Sequence, residues 1–280
     1  MAKRYYNLEK ETKAFLKRME ETRGVLPDGN GISKVNDYIL KRKGLGLFFG
    51  FRDKSCFNVN TTSQQRISVA SNSSLVTAPS WEMVVWLYPK SVVVGNTEFL
   101  GKAGNGLTVF EFTLRQNNLN CSLQSSTGLS YIQTSSKVCS LNTWQFYNFG
   151  RDNSTGNLFL SRNVDNSPTT VSQPTQPSSN SAFVIGDWSP GGRPSDAIFD
   201  GVGRWNRVLN VDERTFLYNS GKGVSYLEIL AYRPDILVNC VSYWQLNESS
   251  GIRYDWHGAN HMSPTNNPLN STNGIIEKFY

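Results

Sequence analysis

The sequence predicts an all-β fold, an antiparallel β-sandwich, preceded by a small helical segment. Two observations lead to this prediction. From residue 48 onward, short runs with alternating apolar and polar side chains recur, for example at 108–114, and turn clusters such as 152–156 separate them. Before residue 48, apolar residues instead follow the spacing of a helix.

Composition excludes several classes of protein. With 38% hydrophobic and 12% aromatic residues, the 280-residue chain is too apolar for a disordered protein. No apolar run approaches the roughly 18 residues of a membrane span. The first residues run directly into charged sequence, so we expect neither a signal peptide nor a membrane span.

The N-terminal segment is predicted to contain two short amphipathic helices. In the first, over 7–23, Leu8, Phe15 and Met19 share one face, and the Pro/Gly-rich run 27–31 breaks it. The second covers 33–43. Such small apolar faces cannot form a stable domain alone. We therefore expect residues 1–47 to dock as an anchor on a larger assembly or on a copy of the chain, which would make a homo-oligomer.

Most of the net charge lies in this segment. Residues 1–47 hold 11 Lys/Arg and 6 Asp/Glu, which is +5 of the formal +6. A basic arm can contact nucleic acid phosphates. Interleaved acidic residues such as Glu9 and Glu20 weaken that hypothesis, and a solvated or docking helix is favoured.

The strands follow in order along the second segment. Alternation predicts strands at 108–114, 144–147 and 157–161. A helix is predicted at 209–219, with Asp212 and Glu213 in its first turn, and another is possible at 226–232.

A family resemblance appears in the same segment. The sequence from Ile198 to Leu209, Ile-Phe-Asp-Gly-Val-Gly-Arg-Trp-Asn-Arg-Val-Leu, followed by Leu217-Tyr218-Asn219, resembles the closing motif of laminin-G-like domains of the concanavalin A-like lectin/glucanase superfamily. The strands at 81–87 and 99–102 resemble earlier strands of that family. The resemblance implies a concanavalin A-like jelly roll over about 48–224. Gly201 departs from the pattern, because the family usually has an acidic residue there.

The segment 241–255 resembles the opening strand of the same family, yet it follows the closing motif. Either the domain is circularly permuted, with 225–280 as a linker and displaced opening strand, or the segment is the stub of a second domain. Permutation is the simpler explanation, because a stub would expose Trp244 and Leu246 on a strand edge. The strand could complete its own domain or a neighbour's. We expect it to complete its own, with Tyr243 or Trp244 facing the core.

The N-terminal segment also resembles a leader of phage and viral structural proteins. This short match implies a virion location and other virion proteins as partners of residues 1–47. It leads to the hypothesis of a non-enzymatic virion structural or surface protein, with a carbohydrate-binding lectin-like module as the alternative.

Catalysis is not expected. Glucanases of the superfamily place paired carboxylates on one strand, whereas 101–150 contains a single acidic residue, Glu111. Only two histidines are present, His257 and His261, and they do not suit a catalytic triad. A zinc site is not expected either, because no two cysteines form a C-x-x-C pair.

Two kinds of binding residue are predicted. The resemblance implies one Ca²⁺ ion at Asp200 and Asp255. The favoured alternative is that Asp255 caps a turn and Asp200 is a solvated strand residue. Trp188, Trp256 and Tyr131 fall in or near predicted loops and are candidates to bind a sugar. Trp86, Trp144, Trp205 and Trp244 are expected to be buried anchors instead.

Overall fold

A computed structural model describes residues 52–75, 78–91, 97–104, 107–114, 120–127, 130–133, 137–165, 167–175, 180–188 and 191–279. The predicted helices at 7–23 and 33–43, the anchor role of 1–47 and its boundary at residue 48 lie outside this part of the chain. The chain divides into two compact units. The sandwich is the unit Lys54–Glu277, and the other unit contains both chain ends.

The described strands are short and antiparallel. They are β1 (Arg52–Asp53), β2 (Cys56–Val59), β3 (Arg66–Val69), β4 (Trp81–Pro89), β5 (Thr97–Gly104), β6 (Leu107–Leu114), β7 (Asn120–Thr127), β8 (Ser130–Gln133), β9 (Lys137–Val138), β10 (Gln145–Asp152), β11 (Asn157–Arg162), β12 (Thr169–Ser172), β13 (Phe183–Ile185), β14 (Ala197–Trp205), β15 (Cys240–Trp244), β16 (Ser263–Thr265), β17 (Leu269–Ser271) and β18 (Lys278–Phe279). β1 pairs with β18 in the unit of the chain ends.

Two sheets form the sandwich. Sheet I has the order β12-β11-β10-β4-β14-β2-β17, and β15 also pairs with β14. Sheet II has the order β16-β3-β13-β5-β6-β7-β8, and β9 also pairs with β7. Inward-facing side chains of both sheets form one hydrophobic core, because successive residues of a strand point to opposite faces. The predicted all-β jelly roll is confirmed.

Strand β14 pairs with three other strands of sheet I. It pairs with β4 along one edge, while its other edge is shared by β2, over Ala197–Phe199, and β15, over Val202–Trp205. The pairing with β4 is irregular between Asp200 and Gly203. The segment that begins with β15 therefore contributes a strand to the sheet of its own chain. Trp244 lies in the core, while Tyr243 is buried and donates its hydroxyl to the carbonyl of Val224 at 3.1 Å.

Two helices follow β14 and cover part of sheet I. The first, α1 (Val211–Tyr218), confirms the helix predicted at 209–219, and Asn210 and Glu213 form a capping box at its start. The second, α2 (Tyr226–Tyr232), begins with a capping box between Ser225 and Glu228. Three short 3₁₀ turns complete the described secondary structure: Ser73–Leu75, Asn219–Gly221 and Pro234–Leu237. No helix in the described ranges combines the length and apolarity of a membrane span.

Tryptophan burial matches the prediction at three of the four expected anchors. Trp86, Trp205 and Trp244 are at most 2% exposed. Trp144 is different, because it precedes β10 and remains half-buried, with its ring centroid 5.5 Å from that of Tyr88. The prediction that Trp144 is a buried anchor is therefore wrong.

Candidate functional site

Trp188 lies in the loop after β13, where it contacts a charged side chain. The ring is half-buried, and the guanidinium carbon of Arg193 stands 4.4 Å from its centroid. A guanidinium at this distance is attracted by the electron-rich ring face. The indole Nε1 is buried and has no hydrogen-bond partner. Trp188 is thus the predicted sugar-binding residue whose surroundings contain both a ring face and polar groups.

Arg193 connects this loop to two neighbouring strands of sheet II. Its Nη1 donates to Oε2 of Glu111 on β6 at 3.3 Å. Its backbone carbonyl accepts from the backbone N–H of Glu98 on β5 at 3.0 Å. One residue therefore holds an aromatic ring, a carboxylate and the start of β5 in fixed relation.

Asp187 stabilises the loop by accepting hydrogen bonds from two of its backbone N–H groups. It is fully buried, and its Oδ1 accepts the backbone N–H groups of Trp188, at 2.7 Å, and of Arg193, at 2.8 Å. Its Oδ2 accepts from Nη1 of Arg66 at 3.2 Å. Gly191 and its neighbour Gly192 adopt φ values of 119° and 103°, a region that favours glycine, and so allow the chain to turn back to Arg193.

Glu98 and Glu111 lie side by side on the outer face of sheet II. Phe110 and Phe112 point into the core, so Glu111 between them points away from it. Gly101 is the cross-strand partner of Glu111, and a Cβ atom on Gly101 would lie 2.1 Å from Oε1 of Glu98. The carboxyl of Glu98 thus occupies the space that glycine leaves open next to Glu111.

Glu98 is the unusual group of the site. Its side chain is fully buried, and neither carboxyl oxygen has a hydrogen-bond partner. Burial, and then the charge of Glu111, raise the pKa of Glu98 well above its usual range, while the charge of Arg193 lowers it. Glu98 therefore holds its proton to a higher pH than an exposed glutamate does. We call the set Glu98, Glu111, Asp187, Arg66 and Arg193, with Trp188 against Arg193, the carboxyl cluster.

Asp255 is a structural residue in this fold. Its Oδ1 accepts the backbone N–H groups of Tyr243, His257 and Gly258 at 2.8 to 3.0 Å, and its Oδ2 accepts that of Asn260 at 3.0 Å. A Ca²⁺ ion needs the same oxygen lone pairs as ligands. Four donated N–H groups leave the carboxylate poorly suited to a cation.

Asp200 has a comparable role elsewhere in the fold. It is fully buried on β14, and its Oδ2 accepts the backbone N–H groups of Ile275 and Ile276, each at 3.0 Å. Asp200 and Asp255 thus bind separate stretches of backbone. Within the described ranges, no three His, Cys, Asp or Glu side chains converge as a metal site requires. The residues predicted for calcium do not fit that ion.

The other predicted sugar-binding residues lie apart from Trp188. Trp256 is only 7% exposed, with its ring centroid 6.3 Å from that of Tyr226, so it does not present an open ring face. The backbone of Tyr131 belongs to β8, a strand rather than the predicted loop, and its side chain is outside what the structure describes. Across the described residues, no ring contact joins Trp256 to Trp188.

Glu98 and its position beside Glu111 were not predicted from the sequence. The pattern of glucanases has two carboxylates on one strand, whereas the structure places these two on neighbouring strands. The alternation within β6 does place Glu111 on the outer face. A pairing of β5 with β6 in the correct register would have revealed its neighbour.

Comparison with known proteins identifies the family and supports the fold. The Laminin_G_3 model of the concanavalin A-like lectin/glucanases superfamily matches residues 61–213, more than half of the chain. Among curated protein sequences, none matches this chain.

Solved structures that are similar to this chain share little sequence with it. A "putative carbohydrate binding protein" from Bacteroides ovatus has a TM-score of 0.58 at 15% identity, and the match covers 79% of this chain and 60% of that one. The binding domain of botulinum neurotoxin serotype G has a TM-score of 0.46 at 12% identity, covering 60% and 42%. A pentraxin from Limulus polyphemus has a TM-score of 0.39 at 13% identity, covering 57% and 83%. The chain therefore spans about 60% of the Bacteroides ovatus protein, and at 15% identity this match shows the fold alone.

Proposed function

Because the chain belongs to the concanavalin A-like lectin/glucanase superfamily, we propose that it is a non-enzymatic, lectin-like module that binds carbohydrate at the carboxyl cluster. The solved structure with a TM-score of 0.58 is described as a putative carbohydrate binding protein, which agrees with this proposal. The superfamily also hosts hydrolases, so the fold by itself does not choose between binding and catalysis.

The observation that carries the proposal is the contact of Trp188 with Arg193 at the edge of the carboxyl cluster. Sugars are recognised by an apolar ring face together with polar groups that fix the hydroxyls. Trp188 supplies a half-buried ring, and Arg193 and Glu111 supply a donor and an acceptor. Arg193 retains 33% side-chain exposure, so the cluster reaches solvent on this side.

A glycan array with the full chain tests the proposal. We expect binding to a subset of glycans, and Trp188→Ala should lower that binding at least ~10-fold, the effect of losing about 1.4 kcal/mol of contact. Tyr232→Ala is the matched control, because Tyr232 is 43% exposed on α2 and lies outside the cluster. No binding to any glycan, or equal binding by wild type and Trp188→Ala, would contradict the proposal.

A more specific hypothesis is that this module belongs to a virion or another surface assembly. Residues 1–47 would attach the chain to the assembly, and the sandwich would be displayed outward. Its support is the sequence of that segment, namely two small amphipathic faces and the resemblance to a viral leader. Glycan binding by the sandwich would then serve attachment to a host surface. Host attachment and assembly are compatible roles of one chain.

A further inference from the structure

Two buried cysteines lie next to each other where β9 joins sheet II. β9 pairs antiparallel with β7, and the register sets Cys121 opposite Lys137. Successive side chains of a strand point to opposite faces. Val138 is 57% exposed, whereas Cys121 and Cys139 are fully buried members of the hydrophobic core. Both thiols therefore point to the core side of sheet II, as diagonal neighbours across the two strands.

The two thiols are in contact. The side chains of Cys121 and Cys139 are hydrogen-bonded to each other. Diagonal neighbours in a strand pair stand near the outer limit of the separation that a disulfide spans. However, β9 ends at Val138, so Cys139 lies beyond the ladder and its backbone can approach β7. The two sulfur atoms therefore need only a small movement to form a bond.

The surroundings of Cys139 favour its thiolate. The carbonyl of the preceding residue, Val138, accepts from Nη1 of Arg162 at 2.6 Å and from the hydroxyl of Tyr147 at 3.3 Å, which fixes the position of the chain. The hydrogen bond from the Cys121 thiol lowers the pKa of Cys139, whereas burial raises the pKa of Cys121. Since the thiolate is the nucleophile of disulfide chemistry, one member of the pair is prepared to react with the other.

The other two cysteines have different surroundings. Cys56 lies on β2, and its Sγ donates to the carbonyl of Ser271 at 3.2 Å. Cys240 begins β15, and its Sγ donates to the carbonyl of Ser242 at 3.6 Å. Both belong to sheet I, whereas the pair in mutual contact lies against sheet II. All four cysteines are free thiols in this structure.

We propose that Cys121 and Cys139 form an intramolecular disulfide when the chain folds in the presence of a disulfide oxidant such as oxidised glutathione. One cysteine thiolate attacks a sulfur of the oxidant, which forms a mixed disulfide and releases one glutathione thiolate. The other cysteine thiolate then attacks the cysteine sulfur of the mixed disulfide and displaces the second glutathione. The two thiol protons pass to the released glutathione thiolates. Two cysteine thiols are thereby oxidised to one disulfide, and one oxidised glutathione is reduced to two thiols.

Burial determines when this exchange takes place. Both thiols are 0% exposed in the folded protein, so the oxidant reaches them while the chain is still folding. A mixed disulfide with a tripeptide does not fit into a closely packed core, so packing favours the second step, which expels glutathione. The bond closes a loop that runs over 18 positions from Cys121 to Cys139. It should raise the melting temperature by about 5–10 °C.

Cell-free synthesis of the full chain, with either reduced or oxidised glutathione in the reaction, tests this inference. Non-reducing peptide mapping by mass spectrometry should detect the Cys121–Cys139 link, with a loss of ~2 Da, in the oxidised product alone. That product should also melt about 5–10 °C higher than the reduced one. Cys139→Ser should abolish the link and the shift, whereas Cys240→Ser, the matched control on β15, should preserve both. The reduced, folded chain should stay reduced in oxidised glutathione until denaturant is added.

Three results would overturn the proposal: an oxidised product without the link, a link that involves Cys56 or Cys240, or a linked product whose melting temperature is not raised. If Cys139→Ser does not fold, the two wild-type products still decide between these results. Rapid formation of the link in the reduced, folded chain would overturn its assignment to the folding stage. No carbohydrate enters this experiment, so its result is independent of the proposed function.

Discussion

The indole N–H of Trp244 donates to the backbone carbonyl of Asn260 at 2.7 Å, deep within the sandwich. Trp244 belongs to β15 in sheet I, and its ring centroid lies 5.5 Å from that of Phe183 in sheet II. The same residue thus joins the C-terminal strand, the loop that follows it and the opposite sheet. The C-terminal segment is part of the core rather than an appendage to it.

Trp244→Ala should destabilise the sandwich by about 3–5 kcal/mol, because it removes a fully buried ring and leaves a cavity. Urea denaturation followed by circular dichroism measures this change.

Deletion of 241–280 should prevent the monomer from folding, since β14 would lose the partner along Val202–Trp205. A truncated chain with an unchanged melting temperature would contradict this role, and polymers of the full chain that disappear on deletion would indicate donation to a neighbour.

A second buried contact attaches α1 to sheet I. Both carboxylate oxygens of Glu82 accept from Arg214 at 2.8 Å, and Oε2 also accepts the backbone N–H of Leu209 at 2.7 Å. Glu82→Ala should cost about 3–5 kcal/mol of unfolding free energy, because it strands a largely buried guanidinium. Adding Arg214→Met should recover part of the loss in a double-mutant cycle.

The exposed pair of Arg233 and Asp235 is the control for that experiment. Their contact is 2.8 Å, but the side chains are 33% and 57% exposed. Solvent screens such pairs, so Arg233→Ala should leave the melting temperature nearly unchanged. Equal losses for Arg233→Ala and Glu82→Ala would show that burial does not determine the strength of these pairs.

The elements with strong local patterns were predictable from the sequence. β6 alternates over its whole length, and α1 starts at Asn210 with a glutamate three residues later, so local chemistry specifies both. The sequence predicts a core position for Trp144 because its strand pattern continues into β10. In the structure its ring lies beside Tyr88 on the outer face of sheet I. A period of two residues shows that successive side chains point to opposite faces of a sheet. It does not show which face the residue at the end of a strand points to.

The candidate site was less predictable, because it depends on pairing between strands. Glu98 meets Glu111 only through the register of β5 with β6, and that register shifts between Glu98 and Leu100. A one-residue change of register would turn Glu98 to the other face. The role of Asp200 likewise depends on the distant backbone N–H groups of Ile275 and Ile276, whereas Asp255 caps the turn that directly follows it.

Deletion of residues 1–47 should leave a soluble sandwich that unfolds cooperatively. The core cluster extends from Phe57 to Met262, so all its members remain in the truncated chain. If the N-terminal segment is the anchor, light scattering should show an oligomer for the full chain and a monomer for the truncated one. A truncated chain that still assembles would contradict the anchor hypothesis.

We expect no turnover of β-glucans. Glu111 is engaged by Arg193 and Glu98 is fully buried, so neither carboxyl is positioned to reach a glycosidic bond freely. Release of reducing sugar from β-glucan by the full chain measures this activity. Glu111→Gln is the diagnostic variant, since turnover that this substitution abolishes would establish a hydrolase.

The pH dependence of stability should report the state of Glu98. Its pKa is raised by burial and by Glu111, so the folded protein binds this proton more tightly than the unfolded chain does. Folding stability conferred by the protonated form is present below the unfolded-state pKa of about 4.3 and falls as the pH rises toward the folded-state pKa. Glu98→Gln cannot lose a proton, so its melting temperature should exceed that of wild type by an amount that grows between about pH 4 and pH 8. The difference between the two proteins cancels the titrating groups that do not interact with Glu98. A constant difference across that range would show that Glu98 does not carry a raised pKa.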